Sequence, residues 1–120
     1  MKFFLLLVLS LPFCSFAAAQ NSDGWITIPW NPSDSVLVGA LNAGLEDAIP
    51  QAQFANQLAP GQWSLAQVTE VMDLPDVDNG TNYAFEVNVI NGPDTASLAL
   101  VVSTSSGGQV NQLIYWKMNN

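Results

Sequence analysis

Three turn signals spaced through the second half of the chain constrain the fold more than any other feature. Asp78-Asn79-Gly80, Asn91-Gly92-Pro93 and Ser105-Ser106-Gly107-Gly108 are combinations that supply the backbone conformations of tight reversals. Around them lie four runs with strand character, at residues 63–74, 82–90, 96–104 and 109–118. The second run alternates cleanly, with Tyr83, Phe85, Val87 and Val89 on one face and Glu86 and Asn88 on the other. The first run alternates imperfectly. Apolar runs joined by short turns pair antiparallel, so this half of the chain predicts a four-stranded meander with one face to bury.

The cover for that face is encoded just upstream. In NPSDSVLVGALNAGLEDAI, Leu37, Leu41, Leu45 and Ala48 recur at helical spacing, with Ala40, Gly44 and Ile49 beside them. Ser33 is placed to cap this helix and Asp34 falls in its first turn, where a carboxylate faces the positive end of the dipole. Pro50 predicts an end or a kink, and the segment before Pro60-Gly61 can add a further turn. Gly39 and Gly44 each weaken an isolated helix by about 1 kcal/mol relative to Ala, so the helix depends on packing. Their smallness also permits close approach to a sheet. Residues 21–34 read as an extended, proline-bearing lead-in. The expected architecture is α+β: one N-terminal helix packed on a four- to five-stranded antiparallel sheet, in a single domain.

The first residues read differently. Lys2 precedes the apolar run Phe3 to Leu9, followed by Pro12 and Ala17-Ala18-Ala19. A cationic start, an apolar stretch too short to span a bilayer and an Ala-x-Ala site describe a secretory signal peptide over residues 1–19, cleaved before Gln20. Residues 20–120 then form the mature domain. No long apolar stretch continues past Gln20, which argues against a membrane anchor. Cys14, the one cysteine of the 120-residue chain, leaves with the signal peptide, so the domain is held by packing rather than disulfides.

Charge narrows the function classes. The formal net charge is −8, with ten acidic residues against Lys2 and Lys117. Phosphate recognition needs several cations, so nucleic-acid binding is not expected, nor is adhesion to anionic membrane surfaces. An acidic surface suits solubility or a basic partner. Catalysis is not expected either. The chain has no His and the mature domain no Cys, which removes the common nucleophile–base pairs, and no glycine-rich phosphate cradle follows a strand. No cofactor or metal is expected. Gly80 followed by Glu86 imitates the end of a calcium-binding loop, but Pro75 and Val77 occupy positions that need side-chain oxygens.

The order of elements and the first hairpin resemble the cystatins, inhibitors of papain-like cysteine proteases. In that family a strand runs into Gln-x-Val-x-Gly, often followed by Thr-Asn-Tyr; here the stretch is Asp76-Val77-Asp78-Asn79-Gly80, then Thr81-Asn82-Tyr83. The resemblance implies a wedge made of an N-terminal glycine, the first hairpin and a second loop, which obstructs a protease cleft without chemistry. Its residues would be Gly24, Trp25, Asp76, Val77, Asp78, Asn79 and Gly80, and its partner a papain-like cysteine protease outside the cell. This chain departs from the motif in three ways. Asp76 and Asp78 stand where the family has Gln and Val. The second loop, Ser103 to Gly108, lacks the family's Pro-Trp, and Trp116 lies too far along the last strand to replace it. Asn79-Gly80-Thr81 is also an N-glycosylation sequon.

Other readings stand beside this one. Asp78-Asn79-Gly80 also suits a type I′ hairpin turn with no partner. Trp25 and Trp30 serve either as staples for the lead-in or as exposed anchors, whereas Trp63 and Trp116 suit the core or the sheet face. A non-inhibitory secreted module of the same fold, recognising a basic protein through the acidic hairpin, is the alternative function. A small-ligand carrier with a pocket between helix and sheet is a third.

Overall fold

The computed structural model describes residues 24–76 and 80–119. The signal-peptide reading over 1–19 and the residues Val77, Asp78 and Asn79 lie outside the described residues. The elements are β1 (Ile26–Ile28), α1 (Ser35–Phe54), β2 (Ser64–Asp76), β3 (Gly80–Asn91), β4 (Asp94–Thr104) and β5 (Asn111–Met118). All strand pairs are antiparallel, in the spatial order β1-β2-β3-β4-β5. One helix on a five-stranded antiparallel sheet is the expected α+β arrangement. The added strand is β1, cut from the extended lead-in and paired with Val71–Asp73 at the edge of β2.

The helix starts one residue later than expected. Asn31 closes a turn in which its Oδ1 accepts from the Ser33 amide at 2.9 Å and its carbonyl from the Asp34 amide at 3.0 Å. Asp34, not Ser33, then stands at the N-cap, where Oδ1 accepts from the Val36 and Leu37 amides at 3.0 and 3.3 Å. Its carboxylate satisfies two of the four orphan N–H groups and faces the helix dipole.

Pro50 neither ends the helix nor divides it; α1 continues to Phe54. Pro50 itself is exposed, while Ala48 and Ala52 on either side of it are fully buried. Packing of those flanking residues outweighs the one backbone bond that Pro cannot make. The true end is at Asn56, which adopts φ 60°. The Asn56 amide donates to the Gln53 carbonyl at 3.0 Å and the Gln57 amide to the Ala52 carbonyl at 2.8 Å, the two bonds of a Schellman motif with Asn in place of Gly.

Leu37, Ala40, Leu41, Leu45 and Ala48 meet Val71, Phe85, Val87, Val89, Leu98, Leu100 and Val102 in one core. The alternation read for β3 holds, with Phe85, Val87 and Val89 inaccessible to solvent. Gly44 allows the close approach expected of it: a Cβ there would lie 2.5 Å from Leu100 Cδ1 and 2.7 Å from Val102 Cγ2. Trp30 closes the margin, its ring edge-on to Phe85 with centroids 6.5 Å apart.

The imperfect alternation of the first strand run has a structural cause. Register shifts fall between Leu65 and Gln67 and between Val68 and Glu70, so β2 carries two bulges. At the second, Thr69 Oγ1 donates to the Glu86 carbonyl at 3.0 Å. The extra residue lets Val68 and Val71 both pack against the core although their spacing is odd.

Candidate protein-binding edge

Strand connectivity gathers three separate stretches at one end of the sheet. Asp76 pairs with Gly80 to close the first hairpin, and Thr81 of β3 pairs with Thr104 at the end of β4. On the other side Ile26 pairs with Asp73, which brings Gly24 beside Leu74; a Cβ on Gly24 would sit 3.2 Å from Leu74 Cδ1. The lead-in, the first hairpin and the β4–β5 turn thus share an end, and the N-terminus of α1 joins them. A Cβ on Gly108 would lie 2.9 Å from Val36 Cγ2.

The β4–β5 turn runs through residues 105–110, two residues longer at its C-terminal end than the strand pattern predicted, because β5 begins only at Asn111. It is held from within. The Ser105 amide donates to the Val110 carbonyl at 2.8 Å, the Gly108 amide to the Ser105 carbonyl at 2.8 Å, and the Val110 amide to Ser105 Oγ at 3.0 Å. At its base Thr104, 2% exposed, donates through Oγ1 to Asn111 Oδ1 at 2.7 Å. Four closing bonds and two glycines make a turn that presents backbone rather than large side chains.

Gly80 has a different place from the one its sequence position implies. It belongs to the ladder, opposite Asp76, and is not a central residue of a two-residue type I′ turn. Its φ is +101°, and its α-carbon lies against the β4–β5 turn. A Cβ there would collide with the Thr104 carbonyl oxygen and lie 2.7 Å from both Ser105 C and Ser106 N. Gly is required at this position because two hairpin backbones touch.

Of the seven residues expected to form the edge, Gly24 is exposed and Trp25 half-buried at this end. Asp76 and Gly80 form the last pair of the first hairpin, and Val77, Asp78 and Asn79 lie outside the described residues. Trp116 is far from this end. It pairs with Leu100, and its Nε1 donates to Gln51 Oε1 of α1 at 2.9 Å. Sequence reasoning named the Ser103–Gly108 loop but not its contacts with Gly80 and Val36, because nothing local to Ser-Ser-Gly-Gly tells which residues will pack beneath it.

The electrostatics of this end are acidic. Burial raises the Asp73 carboxyl above its usual range. Directly opposite, the Tyr83 hydroxyl is raised by burial first and by the Asp73 charge second, with a smaller push from Asp34; a hydrogen bond with Thr81 opposes the shift. Farther along, Glu70 and Glu86 face each other across β2 and β3. Burial raises both, and the Glu70 charge raises Glu86 further. Among the described residues no three His, Cys, Asp or Glu side chains converge on a point that could hold a metal. Nor is any described helix long and apolar enough to cross a membrane. A shallow hollow of about 280 Å³ lies between Gln51 and β5, bordered by Leu113, Ile114, Tyr115 and Trp116.

Comparison with known protein-family models, with curated proteins and with solved structures yields no match to this chain.

Proposed function

We propose that this protein is a secreted, cystatin-like inhibitor of papain-like cysteine proteases that acts by reversible obstruction and performs no catalysis. One observation carries the reading: Gly24, the first hairpin closed by Asp76 and Gly80, and the β4–β5 turn stand side by side at one end of the sheet. A cleft-filling wedge needs three stretches aligned like this. It also needs little rearrangement on binding, since ordering costs of about 0.5–1.5 kcal/mol per immobilised side chain subtract from affinity. The internal bonds of the β4–β5 turn and its contact with Gly80 meet that need.

Asp76 and Asp78 limit the affinity. Sealing an unpaired carboxylate in a cleft costs several kcal/mol, against about 1 kcal/mol for a neutral hydrogen bond. Titration of the mature protein against papain tests the reading. Inhibition at micromolar concentration is expected, together with stronger inhibition by the Asp76→Gln, Asp78→Val double variant. Absence of inhibition by the native protein, or indifference of affinity to these changes, overturns it.

The acidic character of the same end favours a second reading, a non-inhibitory module for a basic protein. A mass increase on expression in a secretory host, from a glycan at Asn79, would favour it, because a glycan on the hairpin would keep a narrow cleft closed to it.

A further inference from the structure

The two edges of the sheet are protected unequally. On one side β1 covers Val71–Asp73, and the rest of β2 is broken by two bulges and carries Glu70. Bulges and charges of this kind are what keeps edges from pairing with other chains. On the other side β5 spans Asn111–Met118 with a single bulge at Ile114, no Pro and no carboxylate. Among the described residues no strand pairs with its outer side.

The side chains of β5 fit an incomplete neighbourhood. Leu113, Tyr115 and Trp116 are only half-buried, Ile114 is 51% exposed, and Val110 just before the strand is 65% exposed. Charge is distributed to match. All ten acidic residues fall at or before Asp94, so residues 95–120 carry none, and Lys117 lies on β5 itself. The nearest acids are Glu46 and Asp47, exposed on the helix that packs over β5 and not on the strand itself.

We infer that β5 is a self-association edge, on which β5 of a second copy pairs antiparallel to fuse two five-stranded sheets into one of ten strands. A chain of net charge −8 repels its own copies over most orientations. Approach through β5 pairs two strands that carry no carboxylate, so repulsion is weaker there than on the acid-bearing β1–β3 side. A basic partner would instead be drawn to the acid-bearing β1–β3 side. The contact is isologous, β5 of each copy running antiparallel to β5 of the other. Each copy gains backbone bonds along an open ladder and cover for its exposed Ile114.

Sedimentation equilibrium of the purified protein from about 1 to about 300 µM tests this, since a weak dimer forms by mass action across that range. The expected result is an average mass that rises from one copy toward two, more readily as salt screens the net charge. Ile114→Lys should remain a single copy throughout with an unchanged circular-dichroism spectrum, because the side chain it replaces is half in solvent. Hydrogen exchange at the β5 amides should slow as concentration rises, a readout that does not depend on the variant. One copy at every concentration, a dimer untouched by Ile114→Lys, or exchange at β5 that responds only to an added strand from another protein overturns the inference.

Discussion

Substituting Gly80 with Ala isolates the contact that ties the two hairpins together, because the chain contains its own control. Gly80 and Gly107 share a positive φ, +101° and +92°, that disfavours any L side chain. Their surroundings differ completely. A Cβ on Gly107 would meet nothing within 4 Å, whereas one on Gly80 would overlap the Thr104 carbonyl and press on Ser105 and Ser106. Gly107→Ala therefore reports backbone strain alone, about 1–2 kcal/mol for an L-residue in the left-handed region. Part of that, about 0.4–1 kcal/mol, is returned by the reduced freedom of the unfolded chain. Gly80→Ala adds overpacking of typically about 1–3 kcal/mol, here against backbone that has no rotamer to change. The expected losses are about 1 kcal/mol for Gly107→Ala and about 2–4 kcal/mol for Gly80→Ala. Urea denaturation measures both, the midpoint falling while the slope stays constant. Hydrogen exchange adds a local readout: the amides of Ser105 and Gly108, bonded within the turn, should lose protection in Gly80→Ala more than global destabilisation explains. Equal losses in the two variants would refute the reasoning, since they would mean that the hairpins do not press on each other at Gly80.

Further predictions concern other parts of the molecule. Asp34→Ala should cost about 1 kcal/mol by removing both cap bonds, while Asp34→Asn retains most of the stability, as thermal denaturation would record. Glu70 and Glu86 both have carboxyls raised above the ordinary 4.5, so folding favours their protonated forms. Stability should accordingly rise as pH falls from neutral through their folded-state values, with no further gain from this pair below 4.5. Glu86→Gln should stabilise the protein at pH 7 by about 0.2–1 kcal/mol, the usual cost of like charges directly opposed across strands, and lose that advantage in acid. Gln51→Ala should leave Trp116 Nε1 without its acceptor, lowering stability by about 0.5–1.5 kcal/mol and changing indole emission.

What could be read from the chain alone was whatever depends on near neighbours. The period of 3.6 in Leu37, Leu41, Leu45 and Ala48 fixes which side of α1 is buried, and the period of 2 in Tyr83 to Val89 fixes the face of β3. The Asn91-Gly92-Pro93 reversal was equally legible, because Gly92, at φ 62°, followed by Pro is a backbone requirement met by the residues themselves. The cap moved from Ser33 to Asp34 since both can accept hydrogen bonds and the Asn31 turn selects between them. Pro50 does not end the helix, because packing of Ala48 and Ala52, which local preference does not register, carries it into the further turn that the sequence allowed. The bulges of β2 showed only as broken alternation, without a location. The meeting of Gly24, Gly80 and the 105–110 turn was implied only by the resemblance; its geometry, like the open side of β5, came from register and strand order. Those follow from how apolar faces pair over long separations, and such pairings are set by the summed burial of the whole core rather than by any one stretch.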